Sequence, residues 1–116
     1  MIIDKNSSDK YNPEYDVSIR RFSELFAQTS KKKEAMGAAL SIVKSGETVR
    51  EHINKPGVEE VFLLLDGNAI FTLDDVNHDI AAGDMGFAEI GQKHSFTNSS
   101  DSTIRLLSIW WKAVAE

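Results

Sequence analysis

The stretch that decides the fold runs from residue 46 to residue 67 and reads GETVREHINKPGVEEVFLLLDG. Its short apolar runs, bounded by glycine, are typical of β-strands joined by tight turns. Side chains two residues apart in a strand project from the same face. The spacing therefore predicts that His52 and Asn54 point together into the interior, with Thr48 and Arg50 on the same face.

The second half of this stretch places a carboxylate on an apolar wall. Glu60 shares a strand face with Phe62 and Leu64, which predicts an inward side chain at the rim of the core. A second stretch, GDMGFAEIGQKHSFTN at residues 83–98, contains His94 and Phe96 on one face of another short strand. The two stretches therefore bring two imidazoles, an amide and a carboxylate towards one interior.

The rest of the chain after residue 35 continues the same pattern. Short β-like runs alternate with glycine or aspartate turns, and no long helical pattern interrupts them, which is typical of a β-sandwich or small barrel. The dipeptide at residues 66–67 predicts a two-residue hairpin, and residues 75–79 are interpreted as turn formers. The predicted strands are 36–43, 48–53, 61–65, 69–73, 85–90, 94–98 and 104–111.

The N-terminal part is less regular. Residues 1–16 are mostly polar and are interpreted as an arm, and residues 17–116 as a single domain. Val17 to Phe22 alternates weakly and predicts a strand. For Ser23 to Glu34 two interpretations stay open, a short helical turn capped by Ser23 or a loop.

Composition excludes several functional classes. The chain has 116 residues, no cysteine and a formal net charge of −5, so a disulfide framework, a thiolate zinc site and a cysteine nucleophile are excluded. Such an acidic surface repels a phosphate backbone, which argues against nucleic acid as a partner. No apolar run approaches a membrane span and the N-terminus lacks a signal-like pattern, so we expect a cytoplasmic protein without membrane contact.

The inward polar residues predict a metal site. Imidazole, carboxylate and amide oxygen are suitable ligands for a first-row divalent ion, so His52, Asn54, Glu60 and His94 are the candidate ligands. The residues favour iron, manganese, nickel or zinc without choosing among them. His78 stands among turn formers and is predicted to be exposed and unrelated to the site.

Both stretches resemble the two conserved motifs of the cupins. Gly46, His52, Glu60 and Gly67 stand where the first motif has its glycines, a histidine and its carboxylate. The second motif is matched in the same way by residues that include Gly83, Gly91, His94 and Asn98. The resemblance implies an all-β fold, a conical, jelly-roll-like barrel of two antiparallel sheets.

The resemblance also implies a ligand set, with two departures. His52, Glu60 and His94 would hold the metal, whereas Asn54 stands where the family pattern has a further histidine. Glu89 replaces a proline that is usual in the second motif. Two histidines and one carboxylate resemble the facial triad of non-haem iron oxygenases, which leaves positions open for oxygen and substrate.

These features lead to two functional hypotheses. The first is a small metal-dependent enzyme that acts on a small organic molecule inside the barrel. It would be either a non-haem Fe(II)-type dioxygenase or a Lewis-acid isomerase, cyclase or lyase. Arg50 is the candidate for binding an anionic substrate group, and Phe62 and Phe96 are expected to line the pocket. The second is a non-catalytic module that binds a sugar or organic acid.

Two structural alternatives to the metal site also stay open. Glu60 is predicted to be able to pair with Arg50, which would need no metal. The two histidines would then be remnants on a barrel that no longer binds an ion.

The aromatic residues predict a partner surface. Trp110 and Trp111 must point to opposite sides of their strand, so only one of them faces the interior. The other, together with Val61, Leu63 and Leu65, would expose an apolar patch. We therefore expect a homodimer that covers this patch.

Overall fold

The computed structural model describes residues 3–27 and 36–114, which form two antiparallel β-sheets that face each other. The larger sheet has the strand order β1-β2-β3-β10-β5-β8, and the smaller has the order β4-β9-β6-β7. The predicted all-β architecture is therefore confirmed. The elements are a 3-10 helix at Ser8–Lys10, β1 Asn12–Glu14, β2 Val17–Arg21, α1 Ser23–Ala27, β3 Gly37–Val43, β4 Thr48–His52, β5 Val58–Leu64, β6 Asn68–Leu73, β7 Val76–Ala81, β8 Met85–Ala88, β9 His94–Asn98 and β10 Ile104–Lys112.

The core lies between the two inner sheet faces. Strand β5 alternates buried and half-buried residues along its whole length, with Phe62 and Leu64 on the buried side. Phe62 packs 4.9 Å from Phe96 of the smaller sheet, measured between ring centroids, and Phe71 stacks on Phe96 at 4.3 Å. Phe62 also lies 5.4 Å from Phe71, so the contacts of Phe62 with these two rings of the smaller sheet join the sheets through apolar burial.

The prediction of a β-hairpin at Asp66-Gly67 is wrong. Strand β5 pairs with β10 and β8, whereas β6 pairs with β9 and β7, so the chain crosses here from one sheet to the other. The turn dipeptide is still used as a turn, because Gly67 has a φ of 63°. Asp66 instead accepts hydrogen bonds from Arg105 Nε at 2.7 Å and Nη2 at 3.0 Å, which anchors the crossing to β10.

Strand β7 is an element that the sequence pattern did not predict. Residues 75–79 were interpreted as turn formers, but only Asp74 and Asp75 form the turn, with φ values of 45° and 68°. Residues 76–81 pair with β6 at the edge of the smaller sheet. This strand is almost fully exposed, so it lacks the apolar alternation by which a strand is recognised. His78 is exposed there, as predicted.

The N-terminal segment packs against the barrel. Strand β1 pairs with β2 through a two-residue turn at Tyr15 and Asp16, so the predicted boundary at residue 16 falls inside this hairpin. Asp4 lies 2.9 Å from the buried Arg20 and 2.6 Å from Lys10. The division into an arm and a domain stays a prediction, although the described arm residues contact the barrel through the ion pair of Asp4 with Arg20.

Helix α1 resolves part of the open choice for Ser23 to Glu34. Residues 23–27 are helical, and the remainder of that range lies outside the described residues. Within the parts of the chain that the structure describes, no helix has the length and hydropathy to cross a membrane.

Asn98 closes one end of the barrel. Its side chain is only 1% exposed, and its amide donates to the carbonyls of Val43 at 2.9 Å and Ser102 at 2.7 Å. Its carbonyl accepts from the backbone N–H and the hydroxyl of Ser100. One buried side chain thus ties the end of β3 to the loop that precedes β10.

Replacing this side chain is expected to destabilise the fold. Asn98→Ala would leave buried backbone groups without partners, which costs about 1–3 kcal/mol for each unsatisfied group. We expect a lower free energy of unfolding, measured by urea denaturation, than for the matched control Ser99→Ala at an exposed neighbouring position. Equal stability of the two variants would contradict this role.

The outer face of the larger sheet is apolar. Val61 pairs with Phe87, and Leu63 pairs with Met85. Phe87 is 40% exposed and Met85 is 65% exposed. Trp111 also lies on this side, and its Nε1 donates to Glu59 at 2.6 Å. We propose that a second copy of the chain covers this face, because contiguous exposed apolar side chains favour association.

We expect light scattering at micromolar concentration to give twice the 12.9 kDa mass of the chain. Phe87→Glu places a charge on the exposed strand β8 and is expected to give the monomeric mass. The matched control Val76→Glu changes a still more exposed apolar residue of the other sheet and should leave the dimer intact. A monomeric mass for the unaltered protein would exclude the proposed dimer.

Candidate metal site

The inward position of His52 depends on an irregularity in its strand. Val49 pairs with Phe96 and His52 with His94, so three steps along β4 match two steps along β9. One extra residue in β4 forms a β-bulge, which shifts the side-chain alternation. Val49 and His52 therefore both line the interior, although they are three residues apart.

This bulge overturns the predicted orientation of Arg50 and Thr48. Both residues are exposed, and the Arg50 side chain is 63% exposed and lies 3.7 Å from Asp16. The expectation that Arg50 faces the interior is wrong, because simple alternation does not continue across the bulge. Among the described residues, the alternative ion pair between Arg50 and Glu60 is not formed either.

Three potential metal ligands meet in the interior. One ligand atom from each of His52, Glu60 and His94 lies within 4.8 Å of the others. The imidazole rings of the two histidines are 4.3 Å apart and inclined by 64°. The Nε2 atom of His94 is 3.6 Å from a carboxylate oxygen of Glu60, and both of these residues are buried.

Backbone carbonyls orient both imidazoles. His52 Nδ1 is 2.8 Å from the carbonyl oxygen of Arg50, and His94 Nδ1 is 3.1 Å from that of Gln92. A carbonyl accepts a hydrogen bond only from a protonated nitrogen, so each Nε2 carries the free lone pair that binds a metal. Burial lowers the pKa of His52 below its ordinary value, which favours the neutral, ligating form.

The donor set fits a divalent ion. Buried polar atoms normally have partners, yet His94 Nε2 is buried without a hydrogen bond in the described part of the chain. A neighbouring buried carboxylate, Glu60, is held beside it in an apolar wall. One cation between these groups would satisfy both.

Asn54 lines the same cavity, two residues beyond the end of β4. Its Nδ2 atom is buried, and no described residue accepts a hydrogen bond from it. The amide can present either its nitrogen or its oxygen to the cavity by rotation about its terminal bond. Its predicted role as a fourth metal ligand stays a prediction.

The cluster opens into a cavity of about 680 Å³ between the two sheets. Phe62 and Phe96 both line it, and Phe62 lies 5.3 Å from the His94 ring. Their predicted contact with a substrate stays a prediction. Trp110 is the tryptophan that faces this cavity, whereas Trp111 faces the other way.

Three residues that line this cavity were not predicted from the sequence. Tyr15 stacks on His52 at 3.9 Å with an interplanar angle of 18°, and its carbonyl accepts a hydrogen bond from the backbone N–H of Arg50 at 2.9 Å. Arg21 and Glu14 line the cavity from the same hairpin. The alternation of Val17, Ile19 and Arg21 on one face was the available signal for Arg21. Tyr15 has no such signal, because it lies in a turn with a φ of 49°.

The comparisons with known proteins agree with this architecture. The family model described as "Cupin domain" matches residues 39–110, more than half of the chain. The chain therefore belongs to the cupin family, and the predicted barrel is confirmed. Cupins commonly bind a divalent metal, so the cluster of His52, Glu60 and His94 stands where such an ion is expected.

Solved structures show the same fold at low sequence identity. A protein from Photorhabdus luminescens is 23% identical with a TM-score of 0.78, covering 97% of this chain and 88% of its own. A predicted oxalate decarboxylase from Thermotoga maritima is 21% identical with a TM-score of 0.69, covering 84% and 81%. A sugar phosphate isomerase from Silicibacter pomeroyi, also of the cupin superfamily, is 18% identical with a TM-score of 0.68, covering 84% and 60%.

The position of Asn54 leads to a test by substitution. Asn54→His is expected to tighten binding of Zn²⁺ by about tenfold or more, or about 1.4 kcal/mol, because imidazole is a better donor than an amide. Isothermal titration with ZnCl₂ measures the difference. Asn12→His, which adds an imidazole to an exposed strand, serves as the control and should not change the affinity. An unchanged affinity in Asn54→His would mean that residue 54 does not reach the ion.

Proposed function

We propose that this cupin is a metal-dependent enzyme that acts on a small organic molecule inside the barrel. The observation that supports the proposal is the cluster of His52, Glu60 and His94, whose ligand atoms lie within 4.8 Å of one another at the wall of a cavity. We expect the enzyme to act in the cytoplasm.

The metal would supply either a Lewis acid that polarises a substrate oxygen or, with iron, a centre for dioxygenase-like oxidation. Two histidines and one carboxylate leave part of the coordination sphere for substrate. The chain's own residues orient the ligands and form the wall around them. His52 and His94 are held in one tautomer by backbone carbonyls, and Phe62 and Phe96 keep the neighbouring wall dry.

A second candidate function is a non-catalytic module that binds a sugar or organic acid. It is favoured by Asn54, whose buried amide nitrogen has no partner among the described residues and lines the cavity. Such an amide suits a hydroxyl or carboxylate of a ligand as well as a metal ion.

Metal content tests the first proposal. We expect the untagged protein to bind one divalent transition ion per chain, measured by elemental analysis after titration with Fe²⁺, Mn²⁺, Ni²⁺ and Zn²⁺. His94→Ala and Glu60→Gln should lower the affinity for that ion by at least about tenfold, because each loses a ligand. His78→Ala, at an exposed histidine outside the cavity, is the matched control and should bind as the unaltered protein does.

Removal of the ion should also lower stability, since a ligand that binds only the folded state stabilises it. We expect a chelator to lower the melting temperature of the unaltered protein and not that of His94→Ala. Failure of the protein to take up any of the four ions would contradict the enzyme proposal. The binding-module candidate would then be tested by titrating sugars and organic acids into the metal-free protein.

A further inference from the structure

A row of side chains crosses the inner face of the larger sheet from the metal cluster. Trp110 pairs with Glu60 on one side and with Gly37 on the other, so its indole is one strand away from a candidate metal ligand. A Cβ atom at Gly37 would stand 2.4 Å from Cζ2 of Trp110. The indole therefore lies directly over Gly37, in space that only glycine leaves free.

Arg21 lies beside this row on the next strand, where it pairs with Ala39. Its guanidinium carbon lies 5.5 Å from the centre of the Trp110 ring, which is within the range of a cation–π contact. Nε and Nη2 donate to the carboxylate of Glu14 at distances from 2.7 to 3.0 Å. Nη1 donates to no residue that the structure describes, so this guanidinium keeps donor capacity for a further acceptor.

Arg21 lines the same cavity as His52 and Glu60, at its solvent-exposed side, because the Arg21 side chain is 42% exposed. The hydrogen bonds that Arg21 donates to the Glu14 carboxylate raise the pKa of Arg21 above the usual range, and the charge of Glu60 makes a smaller contribution in the same direction. Arg21 therefore stays charged.

The charges of the cavity favour an anion. Arg21 and Glu14 cancel each other, and Lys55 adds a positive charge at the cavity. A divalent ion would exceed the single charge of Glu60, so the loaded cavity would carry a net positive charge. The walls between the two ends are apolar and include Phe26, Met36 and Trp110. A ligand that matches both properties has an apolar body and a negatively charged group.

We propose that the cavity binds a small organic acid with an apolar or aromatic body, whose carboxylate is bound by Arg21 beside Trp110. The role that the sequence suggested for Arg50 would thus belong to Arg21. Oxygen donors at the other end of the molecule would meet the metal, and this part of the inference rests on the proposed function. Glu14 and Trp110 are positioning residues, because they hold the guanidinium in place.

The test compares three ligands that differ only in the presence or position of a carboxylate. Benzohydroxamate chelates a metal through two oxygens. Its 3-carboxy and 4-carboxy derivatives carry a carboxylate at two different distances from those oxygens. With Zn²⁺-loaded protein, isothermal titration should show at least one derivative binding about tenfold or more tightly than benzohydroxamate, as a charge-assisted hydrogen bond implies.

Variants assign this preference to Arg21. The double variant Glu14→Gln/Arg21→Gln removes both charges together and is expected to abolish the preference while keeping the affinity for benzohydroxamate. Glu14→Gln alone removes the competing negative charge but keeps an amide oxygen that can accept from the Arg21 guanidinium, so it should strengthen the preference. Arg50→Gln, the matched control on the exposed side of β4, should leave it unchanged. Circular dichroism and thermal melting establish that each variant is folded.

The outcomes separate the two proposals. Equal affinities for benzohydroxamate and both carboxylated derivatives in the unaltered protein would overturn the acid site, while binding of all three would still support the metal site. A preference that survives in the double variant would also overturn the assignment to Arg21. Where Zn²⁺ is not bound, benzoate and benzyl alcohol are titrated into the metal-free protein. Tighter binding of benzoate that requires Arg21 supports the acid site alone, and equal binding overturns it.

Discussion

The β-bulge between Val49 and His52 is the constraint on which the candidate site depends. Without the extra residue in β4, a strand that buries Val49 would turn His52 away from the interior, because the side-chain period of a strand is two. The bulge instead places the ring of His52 4.3 Å from that of His94. A local irregularity in one strand pair therefore decides whether two histidines can bind one ion. Bulges near functional sites commonly redirect a side chain in this way.

The N-terminal hairpin contacts the bulged segment of β4. The backbone of Arg50, within the bulged segment, donates to the carbonyl of Tyr15, and the Tyr15 ring stacks on His52. Tyr15 and Asp16 both adopt positive φ values, which is unfavourable for residues with side chains and persists only where surrounding contacts hold it. The hairpin thus completes one wall of the cavity and also supplies Glu14 and Arg21 to it.

The inner faces of the two sheets contain an apolar region that stabilises the fold and a polar region that lines the cavity. Deep in the barrel, Phe62, Phe71 and Phe96 join the sheets by apolar packing, and Asn98 satisfies buried backbone groups at one end. Towards the cavity, the same faces carry groups whose bonding capacity is incomplete, among them His94 Nε2 and Asn54 Nδ2. Buried polar atoms of this kind cost stability unless something pairs with them, which is consistent with a ligand or ion in the cavity.

Much of the fold followed from local pattern. The apolar runs at residues 61–65 and 94–98 predicted strands with Glu60 and His94 on the inner face, and the motif glycines predicted turns in a cupin barrel. Edge strand β7 was not predicted, because an exposed strand has no apolar alternation and is held by backbone pairing alone. The crossing at Asp66-Gly67 resembled a hairpin, because turn residues do not encode which sheet the next strand joins.

The sequence by itself determined the residue types that were available for chemistry and the family of the barrel. With no cysteine and three histidines, the choice of metal ligands was already narrow. Only the tertiary structure decided which cations line the cavity with them. Arg50 and Arg21 look alike in an alternating pattern, but Arg50 points away from the cavity beside the bulge, whereas Arg21, although 42% exposed, lines the cavity from β2. The difference arises from strand pairing between residues distant in sequence, which no local pattern records.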